Sequence, residues 1–207
     1  MTEPGFKPPD EPPGEPIVQT GAEVLRRRAA EVPMEDIATV EFQALIARMI
    51  AVMREAPGVG LAAPQIGVPQ RVFVVEDCEE LMAGATPDER AARERVPVPV
   101  RVFINPHVRP VGEEKVTFFE GCLSVAGFSA LVPRFREVEV SALDETGAAV
   151  TWQVRGWPAR ILQHEMDHLD GTLYLDRMLT RSFGSIASIK GRFGGHTISE
   201  VMRDLGL

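Results

Sequence analysis

At 207 residues, with 44% hydrophobic and 25% charged side chains, the sequence has the balance of one globular domain and excludes a fibrous or disordered chain. Its formal charge of −8 excludes a general nucleic-acid binder, which needs a basic surface, so no direct nucleic-acid specificity is expected. Two cysteines, Cys78 and Cys122, are too few for a disulfide scaffold, and no apolar run nears the ~20 residues that cross a bilayer, so the chain reads as an intracellular protein without a membrane partner.

Residues 1–16 are Pro-rich and acidic, with Glu3, Asp10, Glu11 and Glu15 against Lys7, and read as a flexible leader. The N-terminus lacks the order of a signal peptide, and its composition is a poor transit peptide. Bacterial cytoplasm is the expected compartment, with an organelle left open if the chain is a processed form.

Phe42, Leu45, Ile46, Met49, Ile50 and Met53 recur with the helical period and predict an amphipathic helix whose apolar face packs the core. Pro57-Gly58 stops it, and residues 58–69, punctuated by Gly and Pro, read as a loop before a strand over 71–75. Residues 78–99 are polar, charged and Pro-bearing, the composition of a surface insertion. Further strands are expected over 100–104, 115–119, 137–143 and 148–154, the last two joined in a hairpin across Asp144-Glu145-Thr146-Gly147. His107, in Asn105-Pro106-His107, reads as a turn residue. Gly156-Trp157-Pro158 starts another helix, with Pro158 near the first turn where its missing N–H costs least, and Gly171 ends it. On that helix Trp157, Ile161, His164, Glu165 and His168 share one face, while Leu162, Met166 and Leu169 are apolar on another, so the helix is expected to be buried.

His164-Glu165-Met166-Asp167-His168 puts two imidazoles one turn apart on one helix face. Polar groups inside a buried helix carry a desolvation cost unless a metal or hydrogen-bond partners engage them. Two readings follow from residue type: a pair of hydrogen-bonded core histidines, or two ligands of a metal site. A catalytic site needs three protein donors and an open position. Cys122 is the candidate third donor, because the adjacent Gly121 suggests a turn or bulge; a small buried hydrophobe is the other reading, and the one given to Cys78. A zinc peptidase shares the His-Glu-x-x-His pattern and is the alternative function, but it takes its third ligand downstream, where His196 follows a Gly-Gly pair.

Three segments, in order, resemble the motifs of peptide deformylase: Gly58-Val59-Gly60-Leu61-Ala62-Ala63-Pro64-Gln65, Glu120-Gly121-Cys122-Leu123-Ser124, and Gln163-His164-Glu165-Met166-Asp167-His168-Leu169. The resemblance covers roughly residues 17–180 as the catalytic domain and leaves 181–207 as a C-terminal extension. Val125-Ala126-Gly127-Phe128 and Arg155-Gly156-Trp157 resemble the organellar-type branch. The fold it implies is α+β, a single domain with antiparallel strands surrounding a central metal-binding helix.

The activity implied is metal-dependent removal of the formyl group from the N-terminal formyl-methionine of nascent polypeptides, releasing formate. By the same resemblance Cys122, His164 and His168 bind one divalent metal, ferrous iron natively and Zn(2+), Ni(2+) or Co(2+) as substitutes, with the fourth position left for water. Glu165 would accept the water proton and pass it to the leaving amine. The Gln65 side chain and the Leu123 backbone N–H would stabilise the oxyanion, although Gln65 taken alone reads as a loop amide bonded to nearby backbone. Val59, Gly60, Phe118, Glu120, Gly121, Trp157 and Ile161 are the expected substrate-binding residues, with Trp157 in place of the smaller aliphatic common in many bacterial members. Formyl-Met nascent peptides are the implied partners, with transient ribosome association; oligomeric state is open.

Overall fold

The computed structural model describes residues 17–56 and 58–207; the expected leader over 1–16 and Pro57 lie outside the described residues. A short helix α1 (Met34–Ile37) leads into α2 (Val40–Glu55). Thr39 caps α2, its Oγ1 accepting from the Phe42 N–H at 3.3 Å. Phe42, Ile46, Met49 and Met53 are buried, as their spacing requires, and pack with Leu61, Val72, Val74 and Ile104. Leu45 and Ile50 flank that contact and are only partly covered.

The segment expected as a loop contains a strand, β1 (Gly60–Ala62), paired antiparallel with β2 (Val72–Asp77). Three residues, all buried, are too few to show alternation. A 3-10 turn over Ala63–Ile66 follows and stops at Gly67, which takes φ 79°.

Residues 78–99 are more ordered and less superficial than their composition suggests. They form α3 (Glu79–Met82) and α4 (Pro87–Ala92) before β3 (Val98–Pro110) begins. Met82 is fully buried. The buried Asp77 carboxylate accepts from Arg95 at 2.7 and 2.8 Å, and Glu94 accepts from Arg136 and Arg155, so the C-terminal part of the insertion is tied down by two adjacent residues. Strand β3 is far longer than the expected 100–104 because it passes through a bulge between Ile104 and His107. There Asn105 takes φ 50°, and its side-chain amide bonds the Val32 N–H and C=O, both at 2.8 Å. His107 is therefore a strand residue opposite Ser141 and not a turn residue; Pro106 and the left-handed Asn105 mimic a turn in the sequence.

Strands β4 (Lys115–Cys122), β5 (Val125–Phe135), β6 (Glu137–Leu143) and β7 (Ala149–Arg155) follow. The β6–β7 hairpin forms as expected, with Asp144 Oδ1 accepting from the Thr146 and Ala148 N–H groups at 2.9 and 3.0 Å. Strand β5 is absent from the sequence reading: Gly127 and Pro133 interrupt it, and Ala130, Leu131 and Val132 are buried in succession instead of alternating. Helix α5 (Trp157–Leu169) begins and ends near the expected residues.

Two sheets result, one in the order β1-β2-β3-β6-β7 and one in the order β4-β5-β8, with β8 at Gly184–Ser185. All of these strand pairings are antiparallel. Helix α5 packs against strands of both, giving an α+β domain in which one helix bridges two sheets. The segment expected as an extension folds onto this unit: after β8 come α6 (Ile186–Phe193) and α7 (Ile198–Leu205), and α7 buries Val201 and Leu205 with Leu131. Among the described residues no helix is long and apolar enough to cross a membrane.

Gly156 sets the start of α5 at φ 69°, ψ −135°, a conformation that side chains resist. A Cβ there would lie 2.4 Å from Glu94 Cβ and 2.8 Å from the Arg93 carbonyl oxygen. Gly156→Ala is expected to cost at least about 2 kcal/mol, lowering Tm by roughly 4–8 °C in a thermal melt. An unchanged Tm would show that the insertion does not press on the helix start.

Candidate metal centre

Strand pairing and helix periodicity bring the three donors together. The β4–β5 register runs regularly to Gly121↔Ser129 and then shifts to Cys122↔Val125, so the thiol sits at a bulged, tight turn. Helix α5 stacks His164 and His168 one turn apart, with ring centroids 5.1 Å from each other and planes at 74°. One ligand atom from each of Cys122, His164 and His168 lies within 4.8 Å of the others. Cys122 Sγ is 3.2 Å from His168 Nε2, and it accepts from the Ser124 N–H at 3.4 Å and Gln65 Nε2 at 3.6 Å.

A buried ionic layer fixes the His164 imidazole from behind. His164 Nδ1 lies 3.0 Å from Glu120 Oε2 and donates to it, which leaves Nε2 free to act as a ligand. The same carboxylate accepts from Arg134 Nε and Nη2, both at 2.9 Å, and from Arg160 Nη1 at 2.6 Å. Arg134 reaches on to Asp167 at 2.5 Å, and Arg177 closes on Asp167 with two bonds of 2.7 Å. Burial opposes ionisation of Glu120, but hydrogen bonds from His164 and Arg134 prevail and hold its carboxyl well below the usual range. Burial also opposes charge on His164, yet Cys122 and Glu120 keep its pKa above the ordinary value. His168, by burial first and then by the charge on His164, is pushed well below it.

These donors fit a cation. A divalent ion placed among Cys122, His164 and His168 would take the place of the protons that otherwise satisfy these donors. One sulfur and two imidazole nitrogens suit zinc and its first-row neighbours, and a group of three leaves a coordination position for water or substrate.

Two further groups face this centre. Burial pushes the Glu165 carboxyl up to about 7, and its Oε2 is buried without a hydrogen-bond partner. A Cβ on Gly60 would lie 2.3 Å from Glu165 Oε1 and 2.9 Å from its Cγ, so a side chain there would displace the carboxylate. Gln65 is buried and split in its bonding: Oε1 accepts from the Ala62 N–H at 2.8 Å, and Nε2 turns toward Cys122 and, at 3.3 Å, Ser124 Oγ. The loop-amide reading thus describes one end of Gln65, and the other end faces the site.

A cavity of about 440 Å³ opens over these residues. Its walls include Val59, Gly60, Gly121, Leu123, Trp157 and Ile161, all expected from sequence. Phe118 does not line it; four residues from Cys122 along an extended strand is roughly 13 Å. Its ring lies instead beside the guanidinium groups of Arg93 and Arg160, at 5.5 and 5.3 Å. Glu120, expected as substrate-binding, borders the cavity, but its carboxylate is committed to His164, Arg134 and Arg160. Sequence reading misses Arg134, Arg160, Asp167 and Arg177. The available signals were a charge in the apolar strand 125–135 and charges on several sides of a helix predicted to be buried.

Comparison with known proteins gives a consistent picture. The family model described as polypeptide deformylase matches residues 15–183. Peptide deformylase 1A, chloroplastic, of Solanum lycopersicum is 49% identical over 173 residues, covering 84% of this chain and 62% of its own length. The mitochondrial peptide deformylase of Homo sapiens is 48% identical over 182 residues, with 88% and 75% covered. Peptide deformylase 1 of Streptomyces coelicolor is 52% identical over 175 residues, with 84% and 78% covered. The Met-Ala-Ser-bound structure of class I type b peptide deformylase from Acinetobacter baumannii superposes with a TM-score of 0.70 at 32% identity, covering 79% of this chain and 97% of that one.

Partners that orient a ligating histidine typically change metal affinity by about 10–100-fold. Glu120→Gln is expected to weaken metal binding by that amount in competition with a chromogenic chelator. Unchanged affinity would detach Glu120 from the orientation of His164.

Proposed function

The chain belongs to the polypeptide deformylase family, and on that premise we propose that it hydrolyses the formyl group from the N-terminal formyl-methionine of nascent polypeptides, releasing formate. The observation that carries this reading is the convergence of Cys122, His164, Glu165 and Gln65 on one cavity, with buried His168 completing the three-donor group behind it. Cys122, His164 and His168 would hold one divalent metal, ferrous iron natively, with zinc, nickel or cobalt accepted by the same donors. When bound, such a cation supplies Lewis acidity and lowers the pKa of a coordinated water.

The protein's own groups do the rest. Glu165 takes a proton from the attacking water and returns it to the leaving amine, a role suited to a buried carboxyl raised to about 7. Gln65 Nε2 and the Leu123 N–H donate to the oxyanion formed from the formyl carbonyl, where losing one donor typically costs ~3 kcal/mol. Gly60 and Gly121 let the peptide backbone approach, and Val59, Trp157 and Ile161 receive the methionine side chain. The Met-Ala-Ser peptide bound by the Acinetobacter protein has the form of a product of this reaction. A peptidase reading is disfavoured, because His196 lies in the C-terminal segment against Phe193 and outside the three-donor group. Action on nascent chains in the cytoplasm, in transient association with the ribosome, belongs to the same proposal.

Metal-loaded protein is expected to release formate from formyl-Met-Ala-Ser and to leave internal peptide bonds intact. Glu165→Ala should keep its metal and lose at least about a hundredfold in rate, the usual scale of general acid–base work. Equal cleavage of unformylated peptides, or a variant as fast as the parent, would overturn the assignment.

A further inference from the structure

We propose that Ile186 is a specificity-determining residue that contacts an apolar side chain immediately following the substrate methionine; this rests on the deformylase reading. The family match ends at residue 183, yet the cavity wall includes Ile186, the first residue of α6. Exposure sorts the cavity into two ends. Ile161 is 5% exposed and marks the buried end, whereas Ile186 is 39% exposed and stands at the mouth. With the formyl carbon beside Cys122 and Glu165 and the methionine side chain directed to Ile161 and Trp157, the remaining peptide leaves through the open end, past Ala126, Gly127 and Ile186.

That end is built to present one apolar group. The β5–β8 register pairs Phe128 with Ser185, which sets Ile186 beside Gly127 across the ladder. Gly127, at φ 82°, has open space where a Cβ would be, and Ala126 is small, so neighbouring side chains on β5 leave Ile186 uncovered. The position is also fixed. Phe128 and Phe183 stack with centroids 5.2 Å apart and planes at 10°, and Ser185 caps α6 through a bond from the Ser188 N–H at 3.2 Å. A cavity of about 440 Å³ lies within the ~300–1,000 Å³ range of sites that hold drug-sized ligands, larger than one methionine side chain needs.

Binding of the unformylated peptides Met-Leu-Ser and Met-Ala-Ser to zinc-loaded protein, measured by calorimetry, tests this directly, alongside formate release from their formylated forms. The parent is expected to favour the leucine peptide by at least about threefold, less than a fully buried methylene can give because the mouth stays wet. Ile186→Ala should bring the ratio to about one, and Ile186→Val should restore most of it. A parent without preference, or a preference that survives in Ile186→Ala, overturns the proposal. Loss of the binding preference in Ile186→Ala upholds it even if no formate is released, an outcome that would instead refute deformylation.

Discussion

The Glu120 carboxylate, buried between Arg134, Arg160 and His164, is the interaction on which the site depends. It joins β4, β5 and α5 through charged groups that are all at least nearly buried. Such a cluster is weak evidence for stability in itself, since desolvation of each ion offsets much of the mutual attraction. Removing one member is another matter: an uncompensated buried charge typically costs about 3–5 kcal/mol. The arrangement therefore tolerates few alternatives, and its geometry is transmitted to His164 through the Nδ1 hydrogen bond. Asp167, one turn along the same helix, extends the constraint by receiving Arg134 and Arg177.

Around that centre, close approach decides which residues can stand where. The five-stranded sheet contributes β1 with Gly60, and the three-stranded sheet contributes the turn after β4 with Cys122; α5 lies against both. Glu165 reaches across to β1 so closely that a side chain at 60 would displace its carboxylate. This packing excludes water from the carboxylate and raises its pKa, so burial and proton-transfer capacity have one cause. The helix in turn starts where it does because Gly156 accepts the insertion's Glu94 against its backbone.

Legibility from sequence followed the range of the interactions. Helix α2 and helix α5 were readable because their apolar residues recur with a local period, and the β6–β7 hairpin because Asp144 organises its own turn. Strand β5 was not, since its burial comes from contacts on both sides, and the long β3 was hidden by a bulge that imitates a turn. At the site, the spacing of His164, Glu165 and His168 on one helix is a local signal, and the ordered motifs brought Cys122 and Gln65 to it by resemblance. Arg134 and Ile186 were invisible because they arrive from β5 and from the C-terminal segment by strand pairing alone. Phe118, expected in the pocket by its position, is not among the residues that line the cavity, and its ring faces Arg93 and Arg160 instead.

X-ray absorption at the metal edge of cobalt-loaded protein tests the centre most directly. One sulfur, two imidazole nitrogens and a light atom from solvent form the expected first shell. A shell lacking sulfur, or one closed entirely by four protein donors, would contradict a Cys122–His164–His168 centre with an open position.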